Sequence, residues 1–286
     1  MRTLRDTAMA ALRFILLLGA LALALYALWQ KNVPLDTRGL PVDILFKQTE
    51  GDADCIILRQ GDAAVMIDSG EAADGEAIAA ALRRWEIKTL DLMIFTHPDA
   101  DHIGGAEAVL EAVEVSRVLM PQYNKENSRL SALEALLAER GIPVTLPNRT
   151  RRYTAGEMQV LVYPPLEKRY NKDNNYSLAT LVTHGNVNMV FAGDAEEKRL
   201  LELMNIHWPR TALYKVAHHG RASSSSGAFI RALSPDYAVC TAERSDEEIQ
   251  RACTEVGAEL LYTGFGDVVF RSDGETLTHV SGGGED

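Results

Sequence analysis

The chain has little cysteine and little positive charge, and each shortage excludes something. Its three cysteines, Cys55, Cys240 and Cys253, are scattered, odd in number and without CxxC spacing. They supply neither a disulfide framework nor a thiolate zinc site. Cys55 and Cys240 sit in apolar, strand-like runs and read as core packing. Lysine and arginine number 29 against 40 acidic residues, for a formal net charge of -11. That balance argues against a broad non-specific footprint for a polyanion. No internal repeat is visible, so solenoid architectures receive no support. With 286 residues, 47% of them hydrophobic and 24% charged, there is enough apolar material for one large domain or two small ones.

One stretch lacks charge altogether. Phe14 to Trp29 is dominated by leucine and alanine and, as a helix, spans about 24 Å, a little short of a bilayer core. Extension back to Ala8 gives the length if Arg13 snorkels to the headgroups, and Tyr26 and Trp29 suit the far interface. Arg2, Arg5 and Arg13 precede the run, which places the N-terminus in the cytoplasm and the main domain outside. Residues 1–31 are therefore expected to form an uncleaved membrane anchor, residues 32–41 a linker and residues 42–286 one hydrolase domain. A cleaved signal peptide ending near Ala22-Leu23-Ala24, which would leave the domain secreted, is the alternative. Arg2, Arg5, Arg13 and Lys31 against Asp6 give segment 1–31 a charge of +3, leaving -14 for the remainder.

After the linker, short apolar runs alternate with helical periodicity. Strands are predicted at Val42–Lys47, Cys55–Arg59, Ala63–Ile67, Leu90–Phe95, Val115–Met120, Pro143–Leu146, Met158–Tyr163, Ala179–His184, Met189–Ala192, Ala212–Ala217 and Tyr237–Cys240. Three more close the chain at Glu259–Tyr262, Asp267–Arg271 and Thr276–Val280. Helices are predicted at Gly75–Trp85, Ala106–Val113, Ser128–Arg140, Glu196–Met204, Phe229–Leu233 and Asp246–Val256. Strands in groups with helices between them suit two sheets flanked by helices better than a strict βαβ series.

The densest chemistry lies between the strand ending at Phe95 and the helix beginning at Ala106. Thr96-His97-Pro98-Asp99-Ala100-Asp101-His102-Ile103-Gly104-Gly105 holds two histidines and two aspartates, all lone-pair donors to a divalent cation. Further ligand types follow other strands: Asp68 after Ile67, Asp194 after Gly193, and His218 with His219 after Ala217. Singly each is a turn or a cap; together they form a pattern of loops at strand ends. His184, His207 and His279 have no such setting and read as ordinary histidines.

This pattern resembles the metallo-β-lactamase superfamily, whose hallmark loop is usually His-x-His-x-Asp-His. Asp99 stands here in place of the second histidine. That variant resembles the ComEC-like branch, the metallo-hydrolase domain type of DNA-uptake channels. Gly51-Asp52-Ala53, Ile67-Asp68-Ser69-Gly70, Asn174-Asn175-Tyr176-Ser177-Leu178, Ala192-Gly193-Asp194 and Lys215-Val216-Ala217-His218-His219-Gly220 with the serines 223–226 fit the same branch. The departures are Gln48-Thr49-Glu50 in place of the usual Gly-Gln, and the absence of the channel portion from these residues.

The resemblance implies an αββα sandwich of two mixed sheets and a centre of two divalent metal ions. His97 and Asp99 would hold one, Asp101 and His102 the other, with Asp194 bridging and His218 completing the set. Asp101 and His219 would be catalytic, Asp68 would orient a ligand histidine, and Asn175, Ser177, His219 and Ser223 would hold substrate oxygens. A carboxylate at position 99, and no histidine near Asn174, make the site oxygen-rich. That favours manganese, with zinc or magnesium as alternatives. The expected reaction is hydrolysis of a phosphodiester, DNA included, by a metal-bound hydroxide. Arg149, Arg151, Arg152, Lys168, Arg169 and Lys172 are the basic residues placed to meet such a substrate. A small extracytoplasmic ester, such as a phosphocholine ester, lactone or β-lactam, is the alternative substrate. A silent metal-binding module of a DNA-uptake or secretion complex is the alternative of a different class.

Overall fold

The computed structural model describes residues 37–280, together with residues 18, 19 and 21. The expected membrane anchor lies almost wholly outside the described residues. Among those that are described, no helix is long and apolar enough to cross a membrane.

Residues 37–280 form two mixed sheets packed face to face. The first runs, in spatial order, β17 (Leu277–Val280), β16 (Val268–Ser272), β1 (Val42–Phe46), β2 (Ile56–Gln60), β3 (Ala63–Ile67), β5 (Leu92–Ile94), β7 (Val118–Leu119) and β8 (Val144–Thr145). The second runs β15 (Glu259–Tyr262), β14 (Tyr237–Cys240), β13 (Leu213–Lys215), β12 (Val187–Phe191), β11 (Ala179–His184), β10 (Met158–Tyr163) and β9 (Arg151–Ala155). β3, β5, β7 and β8 are parallel neighbours, as are β12 to β15, while the hairpin strands of each sheet are antiparallel.

Strand alternation assigns the layers. Ile44, Ile56, Leu58, Val65 and Ile67 of the first sheet meet Val160, Val182, Met189, Phe191 and Val239 of the second in the central core. The alternate residues Leu45, Ile57, Met66 and Met93 face outward against α1 (Gly75–Arg84), α3 (Ala106–Ala112) and α4 (Ser128–Glu139). On the far side, Val190, Tyr214, Ala238 and Cys240 meet α5 (Glu197–Met204), α6 (Ser226–Leu233) and α7 (Glu247–Val256). Strands covered on both faces read as continuous apolar runs, which is why periodicity located most of them. All three cysteines are buried and free. The result is the expected four-layer αββα arrangement.

Four readings of the sequence need correction. The run Leu90–Phe95 divides into β4 (Thr89–Leu90) and β5, because Asp91 leaves the line to bond the Ala64 backbone N–H through Oδ2 at 2.9 Å. The run Val115–Met120 divides likewise into β6 (Glu114–Val115) and β7, and β4 with β6 makes a separate two-stranded sheet. β9 had no apolar alternation to announce it. It is an edge strand carrying Arg151 and Arg152, and charge on an edge blunts pairing with other chains. Finally, the motif stretch is not loop throughout: α2 (Ala100–Ile103), flanked by Asp99 as its N-cap, already places Asp101 and His102 on a helical turn.

Candidate metal centre

The two sheets deliver their chemistry-bearing residues to one end of the sandwich. β3 leads into Asp68, β5 into Thr96 and His97, β12 into Asp194, and β13 into His219. Thr96 links the sheets: its carbonyl accepts the Leu178 N–H at 2.8 Å, just before β11. Close packing at the motif requires glycine. A Cβ on Gly105 would stand 2.2 Å from the Ser69 carbonyl oxygen, and one on Gly104 2.5 Å from that of Ala100.

Asp68 is fully buried, with φ of 58°. Its Oδ1 accepts the Thr96 N–H at 2.7 Å, and its Oδ2 accepts the Thr96 hydroxyl at 2.7 Å and His102 Nδ1 at 2.8 Å. With Nδ1 donating, the lone pair of His102 lies on Nε2, as in a carboxylate–histidine–metal arrangement.

Around that lone pair, Asp101, His102, Asp194 and His219 each place one ligand atom within 4.8 Å of the others. Asp194 spans the group: Oδ1 is 3.4 Å from His102 Nε2, and Oδ2 is 3.1 Å from His219 Nε2. Asp101 Oδ2 lies 3.3 Å from His219 Nε2 and 3.7 Å from His102 Nε2. His97 stands beside them, its ring 4.0 Å from that of His102 and its Nε2 3.4 Å from Asp99 Oδ2. The Nε2 atoms of His97, His102 and His219 and Oδ1 of Asp194 are buried and make no hydrogen bond with a described residue. Four orphaned lone-pair atoms at one place are what a bound cation would satisfy. The residues present thus fit divalent metal ions.

The electrostatics agree. Burial alone would push the His219 imidazole down, but the Asp194 and Asp54 carboxylates push it up to about 10. His102 is likewise raised well above its ordinary value against the effect of burial, by Asp194 and Asp68. Burial would raise the Asp194 carboxyl, yet His219 and His102 hold it well below the usual carboxylate range. The centre carries surplus negative charge and draws positive charge, whether protons or metal.

Not every expected residue joins this group. His219, rather than His218, faces Asp101 and Asp194. His218 is half-buried, its ring 6.2 Å from that of His219. Both have left-handed backbone, with φ of 53° and 54°, so successive side chains diverge. Ser177 supports the centre by accepting the Asp194 N–H through Oγ at 3.1 Å. Asn175 is turned away, its Oδ1 accepting the N–H of Arg199 at 3.1 Å, and Ser223 Oγ lies 3.1 Å from Ser226 Oγ. The expected basic group is divided: Arg152 donates to Gln159 at 3.0 Å from β9, while Lys172 pairs with Glu196.

Two residues the motif reading assigned no role stand behind the centre. Asp54 and Lys215 form a buried ion pair. Burial would raise the Asp54 carboxyl, but Lys215 and His219 hold it far below the usual range. A lysine between Tyr214 and Val216, in an otherwise apolar strand, was the available signal. Asp54 gave none, because it follows Gly51-Asp52 in what reads as an ordinary turn.

Residues 49–241 match the family described as the Metallo-beta-lactamase superfamily. ComE operon protein 3 of Bacillus subtilis (strain 168) is 29% identical over 227 residues, which are 69% of this chain and 29% of that protein. Competence protein ComA of Neisseria gonorrhoeae is 24% identical over 217 residues, 73% of this chain and 29% of that protein. The metallo-beta-lactamase fold protein YhfI from Bacillus subtilis matches with a TM-score of 0.57 over 81% of this chain and 100% of that one, at 12% identity, a likeness of fold. The chain belongs to the metallo-β-lactamase superfamily. Within it, this is a ComEC-like domain related to competence proteins, and the chain spans 29% of the length of the two named here.

Proposed function

We propose that the centre hydrolyses phosphodiesters with two divalent cations, manganese or zinc before magnesium. The observation that carries this reading is the convergence of His97, His102, His219 and Asp194 with buried, unbonded lone-pair atoms, beside the carboxylates of Asp99 and Asp101. His97 and Asp99 would hold one cation and Asp101, His102 and His219 the other, with Asp194 shared between them. Such a pair supplies Lewis acidity toward a phosphoryl oxygen and lowers the pKa of water. The chain's own part is to fix these donors. Asp68 and Thr96 set the His102 tautomer, Ser177 holds the Asp194 backbone, and Asp101, on the more open side, faces entering substrate. A carboxylate at position 99 supports hard cations and phosphoryl oxygen over thiophilic chemistry.

The test is turnover of a chromogenic bis-aryl phosphodiester by the purified full-length chain, stripped with chelator and resupplied with Mn²⁺ or Zn²⁺. Activity should require the added cation and vanish in Asp101→Ala. Absence of turnover on every phosphodiester offered, with cation bound, would overturn the proposal.

DNA is the substrate we infer from the competence relatives. A small diester is the second reading, favoured by two pairings, Lys172 with Glu196 and Lys125 with Asp173, which engage these two ammonium groups beside the Asn174 loop. A salt-sensitive gel shift lost on mutating Arg151 and Arg152 would decide for DNA. We further infer that residues 1–31 anchor the domain outside the cytoplasm. Protease should reach the domain in intact cells or spheroplasts, and protection in both would refute that topology.

A further inference from the structure

His102 has a carboxylate behind it, and so does His219, by a different route. Asp54 sits on the loop between β1 and β2, and Lys215 ends β13, yet both side chains are buried and paired. Lys215 Nζ also donates to the Gly193 carbonyl at 3.2 Å and stands 3.6 Å from Asp194 Oδ1. Thr241, following β14, donates its hydroxyl to Asp54 Oδ1 at 2.5 Å. The same Thr241 oxygen lies 2.9 Å from His219 Nδ1, which is 3.2 Å from Asp54 Oδ1.

A threonine hydroxyl has one proton. With that proton given to Asp54, the oxygen can only accept from His219 Nδ1–H. The proton that a neutral, ligating imidazole keeps is thereby confined to Nδ1, and the lone pair to Nε2, which faces Asp101 and Asp194. Lys215 keeps the arrangement in register, because a carboxylate in a dry interior needs a partner to stay ionised. The same ammonium lies against the Gly193-Asp194 segment, so one buried cation fixes both the spanning carboxylate and the support of His219.

We propose that Asp54, held by Lys215 and acting through Thr241, is a positioning residue that orients His219 as a ligand, as Asp68 orients His102. The inference rests on the two-cation reading of the centre. Partners of this kind typically change metal affinity by about 10–100-fold.

Titration calorimetry of the chelator-stripped full-length chain with Mn²⁺ tests it, alongside urea unfolding of the same samples. Thr241→Val keeps the side-chain shape and removes the hydroxyl, so the chain should fold while its Mn²⁺ affinity falls by about 10–100-fold. Thr241→Ser should restore that affinity. A Thr241→Val chain that binds Mn²⁺ as the wild type does, whatever its unfolding midpoint, would overturn the proposal, as would failure of Thr241→Ser to rescue. A wild-type chain that binds neither Mn²⁺ nor Zn²⁺ would overturn the two-cation reading and this inference with it, and shows itself before any variant is compared.

Discussion

Asp68 Oδ2 takes His102 Nδ1 at 2.8 Å and the Thr96 hydroxyl at 2.7 Å at the same time, so one buried oxygen fixes both the tautomer of His102 and the turn that presents His97. Asp68→Asn keeps the shape but sets an amide where the carboxylate accepted. Metal affinity should fall by about 10–100-fold. Cation content after dialysis against limiting Mn²⁺ checks this, and an unchanged content would show that Asp68 only stabilises the turn.

His218 and His219 are adjacent yet differently placed, and both occupy left-handed backbone. Asparagine tolerates that conformation better than most residues, so His218→Asn and His219→Asn isolate the side chain. The His219 variant should lose most of its bound metal, and the His218 variant should keep it. Metal analysis of both proteins decides the assignment, and the reverse result would return the ligand to His218.

Arg199 is buried at 1% exposure on α5. Its Nε donates to Ser177 O at 2.9 Å, Nη2 to Tyr163 O at 2.6 Å, and Nη1 to Glu202 Oε2 at 2.8 Å. It therefore ties the loop between β10 and β11 to the helix. Arg199→Met leaves those acceptors unmet and should cost about 3–5 kcal/mol in urea unfolding. Adding Glu202→Gln should recover part of the loss, because the uncompensated charge is then gone.

His184 lies away from the centre, between Ser272 Oγ at 2.9 Å and the Gln60 amide nitrogen at 3.3 Å. Gln60 Oε1 accepts the Glu157 N–H at 2.7 Å, which leaves its NH₂ facing Nε2 of His184. The ring must accept there, and burial lowers its pKa. A histidine favoured neutral in the folded state contributes stability that is complete above its unfolded value of about 6.5 and is lost as pH falls through the lower folded value. Unfolding midpoints at pH 7.5 and at successively lower pH should show a loss for the wild type that is smaller in His184→Gln.

Most strands were legible because both sheet faces are covered, so Ile44 and Phe46 alternate with Leu45 inside an unbroken apolar run. β9 was not, since an edge strand needs only one buried face and Arg151-Arg152-Tyr153 shows no such rhythm. The splitting of Leu90–Phe95 also escaped periodicity, because Asp91 bonds a neighbouring strand rather than breaking the pattern of its own.

The sequence alone determined the ligand types and their placement after strands, because short apolar runs ending in Asp or His are local features. It also carried the carboxylate at position 99 on which the preference for hard cations rests. Tertiary structure decided which neighbouring histidine faces the centre, since two successive left-handed residues turn their side chains apart in a way no spacing records. It also brought Asp54 to Thr241, 187 residues away, and to Lys215. A buried charge can only be recognised by its partner, and that partner exists only once the two sheets have closed.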